Sequence, residues 1–415
     1  MTATTSRPLL VVGAGIAGIT AALEAAEAGR EVVLVERDAC VGGRVLRNHH
    51  YFPKLCPPSC GMEINTRRLE RNGRVRVVTG AQVTGCRADA GGYEVTVTHA
   101  PAYVNDRCTA CGACATACPA RVKDPFNLDM AEVPAVRLPH PNAWPKRYVL
   151  DRRACPSGCH ACRDACIYDA IDLDAGERTE TFPAGAVVLA TGWDPYPLER
   201  LPELGGGRSP DVISNVQMER LAAPAGPTGG RIVRPSDQQP PKRVAFVQCA
   251  GSRDVNHLPY CSAVCCLASL KQAIYVKEQL PDADVTIYYI DRRAPGRNEE
   301  MLGRVAAMDG VHLVKGKVAK VEPNGPALAL RVEDAEAGRI VHAEADLVVL
   351  ATGMVPSLGD GARVFGLARD DDGFGIETPG IVVAGVAHRP EDVAASTRDA
   401  TAAAARACAA AGRSA

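Results

Sequence analysis

Cysteine is the residue type whose number and spacing point most directly to chemistry. The chain has 17 cysteines among 415 residues, and many stand only two or three residues apart. An odd number at such short spacings is unlike a secreted disulfide framework and typical of metal-binding thiols. One run reads Cys108-x2-Cys111-x2-Cys114-x3-Cys118-Pro119. Thiolates at this spacing bind one 4Fe–4S cluster, and the fourth cysteine reaches a second cluster.

A second run of cysteines supplies the partner for this arrangement. It reads Cys155-x3-Cys159-x2-Cys162-x3-Cys166, and its first gap is one residue longer than usual. Crossed ligation is therefore expected, with one 4Fe–4S cluster on Cys108, Cys111, Cys114 and Cys166 and the other on Cys155, Cys159, Cys162 and Cys118. Structural zinc, which also takes four thiolates, is the alternative.

A third group of thiols stands where a nucleotide site is expected. After the Pro-rich linker Pro235–Pro241, Arg243–Val247 begins a second dinucleotide-type domain, but the following Gln248–Arg253 lacks the glycines that a pyrophosphate requires. The cysteines here are Cys249, Cys261, Cys265 and Cys266. We expect them to hold a third 4Fe–4S cluster; buried thiols without metal are the alternative.

A fourth motif, Cys56-Pro57-Pro58-Ser59-Cys60, is open to two interpretations. It is either a redox-active pair, which could also contact a partner's cofactor, or two packed thiols in a proline-stiffened turn. The sequence shows no constellation of acid, base and nucleophile, so small-molecule chemistry is expected on partner subunits.

The N-terminal segment has the elements that position a dinucleotide. A short apolar strand, Leu9–Val12, leads into Gly13-Ala14-Gly15-Ile16-Ala17-Gly18 and an Ala-rich helix, and a second strand ends at Glu36. In this unit the glycines allow a tight turn and close backbone approach, while the helix N-terminus attracts phosphates. Glu36 is expected to accept hydrogen bonds from the adenosine ribose.

FAD is the expected dinucleotide because Gly42-Gly43-Arg44 follows Glu36 in the manner of two-dinucleotide-domain flavoproteins. Two strands ending in Ala-Thr-Gly, at Gly192 and at Gly353, fit the same architecture. The strand Gly380–Gly385 precedes a closing helix from Pro390, but Val386-Ala387-His388 stands where an acid usually follows. The residues expected at FAD are Gly13, Gly15, Ile16, Ala17, Gly18, Glu36, Arg37, Gly43, Arg44, Ala190, Thr191, Gly192 and Gly385.

The predicted fold is α/β, with two Rossmann-like dinucleotide-binding domains of the thioredoxin-reductase type and an inserted bacterial ferredoxin domain. The FAD domain takes residues 1–100, 181–241 and 346–415. The ferredoxin insert takes 101–180, and the degenerate NAD(P)-type domain takes 242–345. A net charge of −1 offers no basic surface for nucleic acid, and no apolar run spans a bilayer, so a cytoplasmic protein is expected.

Several motifs resemble one family over nearly the whole chain, from about Leu9 to Ala410. The runs 248–253 and 260–266 are similar to the A subunit of heterodisulfide reductase. The segments 51–58, 124–128 and 256–258 look closer still to the A subunit of quinone-interacting membrane-bound oxidoreductase (Qmo) complexes. In that family, cysteines matching the third group bind a 4Fe–4S cluster.

This resemblance implies a flavoprotein that relays electrons between membrane quinone-linked subunits and a soluble reductase. For Qmo complexes the soluble partner is adenylylsulfate reductase, which implies dissimilatory sulfur metabolism and membrane association through partner subunits. Two alternatives are an NAD(P)H-dependent disulfide or sulfur reductase that uses Cys56 and Cys60, and a scaffold without redox groups. The missing glycines weigh against the first, and the intact ferredoxin spacing against the second.

Overall fold

The computed structural model describes residues 7–413, and its two largest sheets have five and seven strands. Within this range the strands are β1 Leu9–Val12, β2 Val32–Val35, β3 Val75–Val78, β4 Ala81–Asp89, β5 Gly92–His99, β6 Arg121–Lys123, β7 Glu132–Pro134, β8 Val136–Arg137, β9 Val149–Leu150, β10 Arg178–Ala184, β11 Ala186–Leu189, β12 Trp193–Pro195, β13 Val212–Ser214, β14 Arg243–Ala250, β15 Asp284–Tyr289, β16 Val311–Asn324, β17 Ala327–Asp334, β18 Arg339–Ala345, β19 Leu347–Thr352, β20 Met354–Pro356 and β21 Ile381–Val383.

The α-helices of the same range are α1 Ile16–Glu27, α2 Pro58–Arg71, α3 Ala113–Ala117, α4 Ala161–Asp164, α5 Asn215–Ala222, α6 Cys265–Gln279, α7 Glu299–Ala306, α8 Gly359–Val364 and α9 Val393–Arg413. No helix within residues 7–413 is long and apolar enough to cross a membrane.

The first domain is a five-stranded parallel sheet in the order β21-β11-β1-β2-β3. Its central strands are continuous runs of apolar residues, mostly Leu and Val, that are buried on both faces, as parallel sheets require. The Ala-rich helices α1 and α9 pack together on one face, because small side chains allow their backbones to approach closely.

The cysteine-rich insert is one long excursion between neighbouring strands. Strands β5 and β10 are hydrogen-bonded antiparallel partners, with Arg178 opposite His99, and everything from 100 to 177 lies between them. The insert has a small core of its own, formed by Val104, Val136, Ile171, Leu173 and two of its cysteines.

The second domain has a seven-stranded sheet in the order β13-β19-β14-β15-β16-β17-β18. The first five strands run parallel, and β16, β17 and β18 form an antiparallel meander. The β14–α6–β15 unit occupies the place of a dinucleotide-binding βαβ motif.

The strand pairing bears on two of the predicted domain boundaries. The sequence-based boundaries place residues 211–222 and 347–352 in the FAD domain, but β13 and β19 pair in the second sheet, where β19 lies between β13 and β14. Buried strands of this kind look alike in either sheet, and only backbone pairing decides between them. The predicted α/β fold of the thioredoxin-reductase type is confirmed.

Candidate functional site

The first strand–turn–helix unit forms a close-packed glycine cradle. Gly13 has φ +95°, and a Cβ there would stand 2.4 Å from the carbonyl oxygen of Ala190. A Cβ on Gly18 would stand 1.7 Å from the carbonyl oxygen of Gly13, so α1 can pack on the turn only with glycine at this position. By contrast, the nearest atom to a Cβ on Gly15 is the Cα of Gly43, at 3.9 Å. The cradle therefore stays open at Gly15, where a pyrophosphate approaches the backbone.

Glu36 follows β2 and faces this cradle. Its carboxylate accepts hydrogen bonds from the backbone N–H groups of Ala14, at 2.6 Å, and Asp38, at 2.8 Å. Burial nevertheless raises the pKa of Glu36. Each carboxylate oxygen keeps a second lone pair for a ribose hydroxyl, as the predicted role needs. Arg37, the next residue, lies exposed at the rim.

The second half of the cradle is the turn after β11. The hydroxyl of Thr191 is buried and has no hydrogen-bond partner among the described residues, and Gly192 opens to space with φ +72°. Arg44 donates to the carbonyl of Trp193 and pairs with Asp194, which ties the Gly-Gly segment to this turn. A buried hydroxyl without a partner, next to an open glycine edge, is what a bound dinucleotide would satisfy. The residues present therefore fit FAD.

The remaining residues predicted at FAD line the start of α1. Ala17 is buried and Ile16 half-buried in its first turn. Gly385 lies against them, because a Cβ there would stand 2.9 Å from the Cβ of Ala17. The structure thus gathers both Gly-rich turns, the Gly-Gly segment and the closing turn at one end of the first sheet.

The structure brings cysteines from the two runs of the insert together. Burial raises the pKa of the Cys114 thiol to about 11, and the adjacent thiols of Cys108, Cys111 and Cys162 contribute to the rise. Burial likewise raises the pKa of Cys162, with contributions from Cys155 and Cys118. Thiols of the two runs thus lie near one another, and crossed ligation stays a prediction.

The donor set of the insert is all thiol. Within residues 7–413, no three His, Cys, Asp or Glu side chains are already grouped closely enough to hold a single metal ion. Four thiolates can hold either a zinc ion or a 4Fe–4S cluster.

The third group of thiols surrounds one pocket at the carboxyl end of the second sheet. Cys249 comes from the end of β14, and Cys265 and Cys266 form the first turn of α6. All three line this pocket together with Cys261, Arg253 and Arg293. Burial raises the pKa of Cys265 well above its ordinary value, and the other three thiols add to the rise.

The turn that carries these thiols is backbone-strained and locked by charge. Cys249, Arg253 and Ala263 have positive φ values of 55°, 58° and 62°, which non-glycine residues rarely adopt. Arg253 forms an ion pair of 2.7 Å with Asp291, which follows β15. In a nucleotide-binding domain an acid at this place would bind the ribose. Here it is paired to the arginine of the thiol turn.

A buried polar network joins the second domain to the segment before Cys56, and sequence reasoning missed it. Lys271 and Glu219 form an ion pair of 3.0 Å in which both side chains are only 4% exposed. Lys271 also donates to the carbonyl of His50 at 2.6 Å, and Glu219 accepts from the backbone N–H of His49. The partners are separated by over fifty residues, so no local pattern reveals the network.

Cys56 precedes α2 and Cys60 lies in its first turn, and both are exposed. Neither forms a disulfide in the structure. The aromatic ring of Phe52, just before them, lies 5.9 Å from the Lys271 ammonium, so the segment packs against α6. Both interpretations of this motif stay open.

The insert docks on the first domain beside the Gly-Gly segment. The thiol of Cys40 lies 3.3 Å from Nε2 of His140, both side chains being buried, and the ring of His140 stacks on Phe126 at 4.6 Å. The guanidinium of Arg220, in α5, lies over the ring of Phe126 and donates a hydrogen bond to the side chain of Asn127 at 2.8 Å. In the sequence Cys40 stands alone and predicts only a structural thiol. Its partner is one hundred residues away, and only folding reveals it.

Two family models match segments of this chain. One is described as "FAD dependent oxidoreductase" and covers residues 8–51, and the other as "4Fe-4S binding domain" and covers residues 101–123. They fall on the glycine cradle and on the first cysteine run.

Curated relatives match most of this chain. One is the A subunit of the ferredoxin:CoB-CoM heterodisulfide reductase of Methanosarcina mazei, 38% identical over 94% of this chain and 51% of that protein. Another is the A subunit of the H2:CoB-CoM heterodisulfide,ferredoxin reductase of Methanothermobacter marburgensis, 35% identical over 96% of this chain and 63% of that protein. The chain therefore spans between half and two thirds of the length of these relatives.

Solved structures share the fold. The thioredoxin reductase of Lactococcus lactis has a TM-score of 0.55 at 14% identity, with 98% of this chain and 99% of that chain covered. That of T. acidophilum has a TM-score of 0.52 at 15% identity, with 98% of each chain covered. The chain thus has the fold of an FAD-dependent oxidoreductase, carries a 4Fe–4S-binding segment, and is homologous to the A subunits of heterodisulfide reductases.

Proposed function

We propose that this chain is an FAD and iron–sulfur electron-transfer subunit of a heterodisulfide-reductase-like complex of the Qmo type. In this role it relays electrons between membrane quinone-linked subunits and a soluble partner such as adenylylsulfate reductase, in dissimilatory sulfur metabolism. It is cytoplasmic and associates with the membrane through its partner subunits. Bound flavin would accept electrons in pairs and the clusters would carry them singly.

One observation carries this proposal. The pocket at the carboxyl end of β14, where a nicotinamide nucleotide would bind, is instead lined by four thiols. Arg253 pairs with the acid that a ribose would need, and the turn lacks the glycines of a pyrophosphate site. These residues favour a cluster over NAD(P)H, so electrons are expected to enter and leave through clusters and partner subunits.

The Qmo type rests on the sequence resemblance of three segments, 51–58, 124–128 and 256–258. The segment 51–58 packs on α6, and 124–128 packs on α5. In the third segment, His257 is hydrogen-bonded to the hydroxyl of Tyr196 at 2.8 Å. All three segments therefore make contacts with other parts of this chain.

The test is to measure iron, zinc and FAD per chain on anaerobically purified protein. We expect about twelve irons for each FAD, which is three clusters of four. Replacing Cys265 with Ser should remove about four irons while FAD stays bound. The matched control is Cys86→Ser, a half-buried thiol away from all three groups, which should leave iron unchanged. Zinc in place of iron would contradict the relay.

The NAD(P)H-dependent disulfide reductase is kept as a second candidate because Cys56 and Cys60 are exposed at a helix start. It predicts that NAD(P)H bleaches the flavin and that Cys60→Ser abolishes disulfide reduction. We expect NAD(P)H to leave the flavin absorbance unchanged, and rapid bleaching would favour this candidate instead.

A further inference from the structure

The turn that closes the FAD cradle lacks the acid that usually follows its strand. After β21 the chain reads Gly385-Val386-Ala387-His388 and forms one short 3₁₀ turn over Gly385–Ala387. Gly385 has φ +65° and abuts Ala17 in the first turn of α1. The position of the turn Gly385–Ala387 therefore determines how much space is left for the dinucleotide beside α1.

A carboxylate from another element reaches this turn. Oδ2 of Asp399, in α9, accepts the backbone N–H of Gly385 at 2.8 Å. Asp399 is only 8% exposed, and its neighbour Ala400 is part of the core between α9 and α1. A carboxylate in such surroundings is costly unless it is compensated by hydrogen bonds or cations.

Two basic side chains lie near this carboxylate, His388 and Arg389. Nδ1 of His388 lies 3.6 Å from Oδ1 of Asp399, an ion-pair distance that is too long for a hydrogen bond. This nitrogen is buried and has no hydrogen-bond partner among the described residues. The guanidinium of Arg389 lies 3.9 Å from the same oxygen but is also paired with Glu391. Arg389 thus divides its charge between Asp399 and Glu391, whereas His388 has no such pairing with Glu391.

We propose that Asp399 is a positioning residue for FAD, which holds the closing turn against α1 with His388 as its partner. Its carboxylate comes from α9 and holds the turn through the backbone N–H of Gly385. The proposal rests on FAD binding as part of the proposed function, and it adds two residues that no motif indicates.

The charges around the pair give its pH dependence a sign. Asp399 raises the pKa of His388, burial lowers it, Glu377 raises it and Arg389 lowers it, with a net rise. Glu377 is itself bonded to Arg406 of α9 at 2.8 Å. Burial raises the pKa of Asp399, but His388 and the Gly385 N–H outweigh burial and keep it low. The charge of His388 is present at acidic pH, and its contribution is lost as pH rises through its raised pKa.

The experiment is FAD titration of the full-length, flavin-stripped chain, followed by flavin absorbance across pH. We expect Asp399→Ala to weaken FAD binding about tenfold or more, as for a lost hydrogen bond to a charged group. The Asp399→Asn variant keeps a hydrogen-bond acceptor but has no charge there. Its affinity for FAD should therefore lose the pH dependence that the Asp399–His388 pair confers. His388→Gln should likewise flatten the pH profile. The controls are Asp371→Asn and His342→Gln, which lie outside the cradle.

Each outcome decides for or against the proposal. Asp399→Ala that binds FAD as tightly as the wild type would overturn the role of Asp399. If that variant fails to fold, Asp399→Asn decides, because a pH profile identical to that of the wild type overturns the proposal. Unchanged iron content in each variant shows that the insert is intact. A wild-type chain that takes up no FAD would overturn the proposed function, and the inference with it.

Discussion

Among single residues, the contact between Cys40 and His140 is the least expected feature of the molecule. Burial raises the pKa of Cys40 to about 12. Burial, followed by Arg47 and Arg220, lowers the pKa of His140 to about 4. Both groups are therefore neutral in the folded protein at neutral pH, and the pair behaves as an apolar contact with one weak hydrogen bond.

The buried His140 predicts acid sensitivity. Its pKa is about 4 when folded and about 6.5 when unfolded, so the unfolded chain binds the proton more strongly. The contribution of neutral His140 to the free energy of unfolding is complete above pH 6.5. It is lost as pH falls towards 4, which lowers the free energy of unfolding by up to about 3 kcal/mol. His140→Phe should remove this part of the acid sensitivity, measured by denaturant unfolding between about pH 7 and about pH 4. The control His342→Phe, away from this contact, should leave the dependence of the unfolding free energy on pH unchanged. If both variants show the same dependence on pH, His140 is not the source of this acid sensitivity.

Among the secondary-structure elements, short helices in the insert position the predicted cluster ligands. Helices α3 and α4 pack together and each buries one cysteine, Cys114 and Cys162. Such short helices are not stable alone, and most of their stability comes from packing. Cluster binding and folding of the insert are therefore expected to be coupled.

Crossed ligation predicts which pairs of substitutions are redundant. Cys118→Ser and Cys155→Ser should each remove the same cluster, so the double variant should lose about four irons, as each single variant does. Cys118→Ser combined with Cys108→Ser should lose about eight. Iron analysis with electron paramagnetic resonance measures both. The reverse pattern would show that each run binds its own cluster.

Across the whole molecule, Arg220 joins three parts of the chain. It lies on α5 of the second domain, donates to the carbonyl of Arg47 in the first domain at 3.0 Å, and donates to Asn127 of the insert at 2.8 Å. Burial lowers the pKa of Arg220 to about 10, which still leaves it charged at neutral pH. Its guanidinium has five donors in a fixed plane, so one side chain can bond to all three parts.

Replacing Arg220 should loosen the insert without unfolding the sheets. We expect Arg220→Ala to increase amide hydrogen exchange in residues 124–130, because Asn127 loses a buried partner there. Arg200→Ala, which removes an exposed arginine stacked on Tyr196, is the matched control. If the increase in amide hydrogen exchange of the Arg220→Ala variant is confined to α5, Arg220 does not dock the insert.

Local sequence patterns are enough to predict the glycine cradle, the acid after β2 and the insert. Gly13, Gly15, Gly18 and Glu36 belong to one strand–turn–helix–strand unit, so their spacing alone identifies them. The overall fold class and the segment matched as 4Fe–4S-binding could also be predicted, because cysteine spacing reflects the local wrapping of a loop.

Contacts between distant segments, by contrast, come from the three-dimensional packing. It places β13 and β19 in the second sheet, pairs Cys40 with His140 and Lys271 with Glu219, and brings Asp399 to Gly385. Backbone pairing and burial depend on which surfaces meet, and residues such as Asp399 in an Ala-rich helix carry no local sign of their partners. Local patterns therefore indicate what the chain binds, and packing determines which residues hold those sites in place.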